Sequence, residues 1–304
     1  MTALAHARPR VNARRLGSRR ERTALLYVLP ALILVVGITY LSVGYNAYVS
    51  TLDWNGIGTP TAVGLENYLA ILADPIFWAS VSHVAIFGVI TIIAQMIIGF
   101  TMAMVLAGPV VGKNIYKVIV FLPVVLAPAA IATAFRQILS ADGQFNALLE
   151  SVGLGALAQA WTADPTYALY ALAAVNIWQW TGFSFLLYQA ALGQIDHSHI
   201  EAAQIDGASP WQITRMVILP QLSGTHATLA LTGVIGSIKT FEIVWLITGG
   251  GPGRSTEFLT TYIYKNAVVT FDSGYAAALS IVLLILALAL TLLQMRAYRF
   301  GGRD

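Results

Sequence analysis

Long apolar runs separated by short polar segments occupy nearly the whole chain. Six runs span about Leu25 to Tyr48, Val81 to Leu106, Val118 to Leu139, Tyr167 to Leu192, Ala227 to Ile247 and Tyr275 to Met295. A hydrocarbon layer about 30 Å thick takes roughly 20 apolar residues as α-helix, because a helix satisfies its backbone N–H and C=O groups internally. The pattern predicts an all-α integral membrane protein of six transmembrane helices. A basic segment, residues 1–22, precedes a single membrane domain over residues 23–304.

Composition narrows the class. Of 304 residues, 57% are hydrophobic and 10% charged, against roughly 45–50% and about 25% in a soluble domain. Too few charges remain to cover a water-facing surface, which disfavours a soluble enzyme and a disordered chain alike. The net charge of +3 is local, since seven arginines precede residue 23, so it is no nucleic-acid footprint. With the N-terminus inside, Lys113, Lys117, Arg215, Arg296, Arg299 and Arg303 also fall on the cytoplasmic side. Arg254 and Lys265 alone fall in the external segments, so the positive-inside rule places both termini in the cytoplasm. Arg19-Arg20 before an apolar run also reads as an export signal, but that run exceeds the roughly 7–15 residues of a signal core and no clear small-x-small cleavage site follows. An uncleaved anchor is the plainer reading. Absence of cysteine excludes disulfides and thiolate sites, and five scattered histidines offer no metal-ligand spacing. No catalytic constellation is visible.

The external segments, 50–80, 140–166 and 248–274, carry turn chemistry in Asp53-Trp54-Asn55-Gly56 and Gly249-Gly250-Gly251-Pro252-Gly253. Their size suits docking a partner or capping a cavity, or simple connection. The cytoplasmic segment 196–220 has helical logic of its own. Ser198 with Glu201 three residues on forms a capping-box pattern, Ala202 and Ala203 make a slim helix, and Gly207 breaks it. Ser209 then caps a second helix with Pro210 at its first position, and Pro220 marks its end.

Those residues carry a resemblance. Glu201-Ala202-Ala203, Gly207 three residues after Gln204, and Ile218-Leu219-Pro220 resemble the EAA loop of permease subunits of binding-protein-dependent ABC importers. The resemblance implies a six-helix type I importer permease whose loop forms coupling helices. It implies that Glu201, Ala202, Ala203, Asp206, Gly207, Ala208 and Trp211 contact an ATPase subunit. Thr248-Gly249-Gly250-Gly251-Pro252, Ser255-Thr256, Tyr262-Ile263-Tyr264, Phe271 and Gly274-Tyr275-Ala276-Ala277-Ala278 are similar to the group that imports di- and oligosaccharides and glycerol-phosphate-type solutes. The likeness runs from about residue 20 onward and is strongest over Asn176 to Ala278; the compact first external loop departs from members with an inserted domain there. The implied location is a prokaryotic inner membrane. The implied partners are a second homologous permease, two ATPase subunits holding ATP and Mg, an extracytoplasmic solute-binding protein and the sugar itself. No GxxxxGK[ST] phosphate loop occurs in the chain, so it needs no cofactor of its own and cannot hydrolyse ATP.

Polar residues at membrane depth usually face a bundle interior or a wet cavity. Asn176, Gln179, Trp180 and Phe183 share one helical face, where amides suit sugar hydroxyls and aromatic rings suit the C–H face of a pyranose. An interfacial role for Trp178 and Trp180 is the competing reading. Gly233, Gly236, Ser237 and Thr240 form a second stripe, equally explained by small-residue helix packing. The resemblance places Asn176, Gln179, Trp180, Phe183, Gly233, Ser237 and Thr240 at the substrate site. Lys239 and Glu242, three apart on one expected helix, read as an ion pair or a gate. Arg136 reads as a snorkelling cation, and Pro123 and Pro128 are expected to bend or break the third span against the pathway. The alternative function is an ion-coupled secondary transporter with Lys239 and Glu242 as relay.

Overall fold

The structure, a computed structural model, describes residues 27–301, with side chains described to residue 296. The basic segment 1–22 and the side chains of Arg299 and Arg303 lie outside the described residues.

Helix α1 (Tyr27–Val49) widens into a π-turn at Val35–Tyr40 and buries no residue before Val49, so its apolar side chains face outward. A two-stranded antiparallel ribbon follows, β1 (Leu52–Asp53) against β2 (Thr61–Ala62), with Leu52 opposite Ala62. Its connection turns on Asn55, whose Oδ1 accepts from the amides of Ile57 and Gly58 at 3.1 and 2.9 Å, an Asx turn. The fold is therefore mostly helical rather than all-α. After α2 (Glu66–Ala73), the 33-residue α3 (Pro75–Ala107) starts sharply: Asp74 accepts from the Ile76 amide, and Pro75 sits where its missing N–H costs nothing.

The expected third span is two helices, α4 (Lys113–Val125) and α5 (Pro128–Ile138), bent by 95°. Leu126 and Ala127 are extended, Ala127 because the ring of Pro128 disfavours helical geometry in the residue before it. A short α6 (Gln144–Ser151) leads to α7 (Ala168–Leu192), then α8 (His197–Ile205) and α9 (Pro210–Ile213). Pro220 does not end α9. The helix relaxes into a π-turn at Thr214–Ile218 and carries Pro220 through a last turn, Leu219–Gln221; the wider turn absorbs the proline's missing donor. The fifth expected span is likewise broken, into α10 (Ser223–Lys239) and α11 (Glu242–Ile247), with Thr240 and Phe241 out of helical geometry. The carbonyl of Thr240 accepts from Thr260 Oγ1 at 2.6 Å, which compensates a group the helix no longer satisfies. Last come α12 (Leu259–Tyr264), a π-turn at Lys265–Val269 and α13 (Ser273–Gly301).

Among the described residues, α1, α3 and α13 are long and apolar enough to cross a membrane, and the bent α4–α5 pair makes a fourth if it counts as one span. Helices α3 and α7 form the most extensive packing contact, and α4 crosses α7 at Gly182. A Cβ there would strike the Val120 carbonyl oxygen, so only glycine permits this approach. Three apolar clusters stack along the bundle. One holds Phe87, Leu172, Val175, Val244 and Phe258. The second packs Ala103, Phe185, Tyr188, Ile213, Ile218 and Leu222 beneath α8 and α9. The third joins Ile71 and Phe77 to Leu259, Tyr262 and Leu279 at the opposite end.

Candidate functional site

A cavity of about 380 Å³ opens between α3, α7 and the broken α10–α11 pair. All seven residues expected at the substrate site line it: Asn176, Gln179, Trp180 and Phe183 from α7, and Gly233, Ser237 and Thr240 from α10 and its end. Pro128, at the start of α5, lines it too, as does Gly236. Trp178 points elsewhere and packs on Phe135 with ring centroids 5.1 Å apart.

Gln179 is 1% exposed, and its Nε2 has no hydrogen-bond partner among the described residues. A buried amide left unsatisfied costs about 1–3 kcal/mol, which a hydrogen-bonding solute or water would recover. Asn176, one turn earlier, is differently placed: Gln95 of α3 donates through Nε2 to Asn176 Oδ1 at 2.9 Å and to the Asn176 carbonyl at 3.3 Å. Across the cavity, Ser237 Oγ donates to the Gly233 carbonyl and Thr240 Oγ1 to the Gly236 carbonyl, each at 2.9 Å. With their protons committed to backbone, these hydroxyls offer lone pairs to the cavity. Sequence reasoning missed Gln95 and Thr91, which also line it. Gln95 was visible as a lone amide in the run Ile92–Met96, the cue that picked out Asn176.

Lys239 and Glu242 both line the cavity, but they are not an ion pair. The break at Thr240–Phe241 puts them on different helices, which removes the one-face geometry a continuous helix would impose. The ion pair among the described residues joins Lys265 to Glu257, whose side chain is 1% exposed. Thr261 Oγ1 donates to Glu257 Oε1 at 2.7 Å, and the Gly249–Gly253 turn closes over the pair, with any Cβ at Gly250 falling 2.8 Å from Glu257 Oε1. Near that end of the bundle, Tyr262 and Tyr275 both donate to Asp74 Oδ2, at 2.6 and 2.8 Å. Burial works to raise the Asp74 carboxyl, but the bonds from Tyr262, Tyr275 and the Ile76 and Phe77 amides outweigh it and hold the group below its ordinary value.

At the other end, α8 and α9 form a bent pair against the bundle. The cap of α8 is Asp196 rather than the expected Ser198: Asp196 Oδ1 accepts from the Ser198 amide at 2.9 Å, and this bond lowers the exposed carboxyl's pKa. The reciprocal capping box falls one helix later, where Gln212 Oε1 accepts from the Ser209 amide at 2.8 Å. Gly207, at φ +78°, closes α8 in a Schellman motif, with the Ala208 amide bonding the Ala203 carbonyl at 2.9 Å and the Gly207 amide the Gln204 carbonyl at 3.0 Å. Of the residues expected to meet an ATPase, Glu201, Ala202, Asp206, Gly207 and Trp211 are exposed, whereas Ala203 and Ala208 pack against the cluster beneath. Ile205 and Trp211 are 86% and 69% exposed, an apolar surface that solvent alone does not explain. Ile205 was not singled out from the sequence. Arg136 is exposed at the end of α5, and among the described residues no three acidic or histidine side chains converge on a metal site.

Residues 95–299 match the family of binding-protein-dependent transport system inner membrane components. A probable ABC transporter permease of Pyrococcus horikoshii is 33% identical over 88% of this chain and 92% of its own length. The lactose transport system permease of Rhizobium radiobacter is 29% identical over 90% of this chain and 93% of its own. A bacterial ABC transporter involved in the import of the acidic polysaccharide alginate has a chain of the same fold, with a TM-score of 0.80 at 22% identity, covering 95% of this chain and 100% of that one. With two thirds of its length inside the family's bounds and the whole fold shared, this protein belongs to the binding-protein-dependent inner membrane components, the multi-pass permease subunits of ABC importers.

Proposed function

We propose that this permease carries a carbohydrate through the cavity between α7 and the broken α10–α11 pair. The observation that carries the reading is the buried Gln179 amide, without a partner and set beside Asn176, Trp180 and Phe183 on one wall. Amides hydrogen-bond sugar hydroxyls, and the two rings cover the apolar C–H face of a pyranose. The lactose permease among its relatives supports the same solute class. Gly233, Ser237 and Thr240 form the opposite wall, and Lys239 and Glu242 bind solute hydroxyls or gate the passage.

The chain crosses the membrane six times, the bent α4–α5 and α10–α11 pairs each serving as one span, with both termini in the cytoplasm. Residues 23–304 are one membrane domain, and residues 1–22 fix its orientation. The loop 196–220 is cytoplasmic. Its exposed residues Glu201, Ala202, Ile205, Asp206 and Trp211 dock into an ATPase subunit, while Ala203, Gly207 and Ala208 set the bend and anchor it to the bundle. ATP hydrolysis resides in that separate subunit. A second homologous permease completes the pathway above two ATPase subunits, and the binding protein delivers the sugar to the opposite end. ATP-driven closure moves α8 and α9, and their packing on Phe185 and Tyr188 of α7 transmits that motion to the cavity wall. The ion-coupled alternative needed Lys239 and Glu242 as a paired relay in a self-sufficient carrier, and neither their geometry nor the family supports it.

The test is ATP turnover by the assembled transporter in nanodiscs with its binding protein, screened against lactose, maltose and trehalose. Turnover that rises with one of these sugars supports the reading. Stimulation by amino acids or metal ions with no response to any sugar overturns it.

A further inference from the structure

The two amides on the α7 wall are held in different ways, and the difference fixes what they can do. An asparagine amide is normally ambivalent, presenting either its oxygen or its NH2. Asn176 is held in one of the two orientations. Gln95 reaches across from α3 and donates through one nitrogen to both the side-chain oxygen and the backbone carbonyl of Asn176, at 2.9 and 3.3 Å. The side-chain oxygen is thereby turned toward α3 with one lone pair engaged, which fixes the amide's orientation and sets its NH2 group on the side away from Gln95. Gln179, one turn further along α7, is 1% exposed and lines the same cavity, and its buried Nε2 has no partner among the described residues. The opposite wall has the reverse polarity, because Ser237 and Thr240 donate to their own helix and offer lone pairs.

Resting on the carbohydrate reading above, we infer that Gln95 is a positioning residue that locks Asn176 as a hydrogen-bond donor, so that Asn176 and Gln179 form a two-amide edge receiving acceptor oxygens of the sugar. Gln95 does this without touching the solute through the nitrogen that holds Asn176. The solute is then oriented by polarity: one edge accepts from α7 and the other donates to α10. A sugar turned over in the cavity meets two NH2 groups with its own hydroxyl protons and loses those bonds unless its hydroxyls rotate.

The lock predicts energetic coupling between residues 95 and 176. Equilibrium binding of radiolabelled lactose, maltose and trehalose to the assembled permease–ATPase complex in nanodiscs, without the binding protein, measures it. Gln95→Met keeps length and volume but cannot donate. It is expected to raise Kd about tenfold, as is Asn176→Ala, in line with loss of one neutral hydrogen bond. The double variant is expected to be no weaker than either single, because Gln95 acts only through Asn176. Additive losses of about a hundredfold, or wild-type binding by Gln95→Met, overturn the lock. A second measurement needs no sugar: the structures of the wild-type and Gln95→Met complexes, resolved to side-chain rotamers. Asn176 held toward α3 in the wild type and released in Gln95→Met supports the lock, and an unchanged Asn176 pose overturns it. If wild type binds none of the three sugars while the rotamer changes as expected, the solute class is wrong and the lock stands.

Discussion

Gly207 gives the sharpest handle on the coupling loop, because its requirement is conformational and not steric. Its φ of +78° lies in the left-handed region, yet a Cβ built there meets nothing within 4 Å. Any effect of substitution is therefore backbone strain, apart from contacts made by a partner. An L-residue with a Cβ costs roughly 1–2 kcal/mol in this region, asparagine less because its side chain bonds locally, and a β-branched residue more. A bias of that size changes the ratio of bent to straightened loop by a factor of about 5–30. Straightening would break the bonds of the Gly207 and Ala208 amides to Gln204 and Ala203 and swing α9, with Trp211, away from α8. The predicted order of lost sugar-stimulated ATP turnover is Gly207→Asn least, Gly207→Ala intermediate and Gly207→Val greatest, with membrane insertion unchanged. Co-purification of the ATPase subunit with the tagged permease should fall in the same order. Equal loss in all three variants would refute the conformational reasoning and point to direct contact at Gly207, and full activity of Gly207→Val would refute a coupling role for the bend.

Other substitutions probe the cavity and the end near the Gly249–Gly253 turn. Gln179→Leu should abolish or strongly weaken sugar stimulation while leaving the melting temperature equal or higher, because it removes an unsatisfied buried amide that costs about 1–3 kcal/mol; a lower melting temperature would show that the amide is satisfied in the protein. Lys265→Met strands the carboxylate of Glu257, which is fully buried, and should destabilise the protein by about 3–5 kcal/mol in thermal unfolding, with much of the loss recovered by adding Glu257→Gln. Asp74 has a folded pKa below its ordinary 3.8, so its contribution to stability is complete above that value and is lost as pH falls through the lower folded pKa. Asp74→Asn should therefore lower stability at neutral pH and flatten the acid limb of a stability–pH curve; an unchanged acid limb would contradict the assignment.

Hydropathy made the apolar runs legible, and Pro128 announced the bend in the third span locally, whereas the helix runs through Pro123, which was expected to break it as well. The break between Lys239 and Glu242 was not legible. Neither Thr240 nor Phe241 is a helix breaker, and the carbonyl freed there is satisfied by Thr260, 20 residues further on, a tertiary contact no local pattern reports. That break separates Lys239 from Glu242, which a continuous helix would have set on one face. The cap of α8 was misplaced by two residues because Ser198 and Glu201 match the capping box while Asp196, a stronger acceptor, precedes them. Most of the residues lining the cavity were legible, since amides and small residues stand out in apolar helices. Gln95 was overlooked because it is single in its run, and its significance appears only when α3 is packed against α7.

The central claim is that the bent pair of short helices over residues 196–220 engages a separate ATPase. The chain has no cysteine, so Ala202→Cys and Ile205→Cys each introduce a unique thiol on the exposed face of α8. Short thiol cross-linking in the intact transporter should join either position to the ATPase subunit, and a matched Leu65→Cys between the ribbon and α2 should not. Cross-links from Leu65→Cys but not from Ala202→Cys or Ile205→Cys, or labelling of the α8 thiols by an impermeant reagent added outside intact cells, would contradict the account.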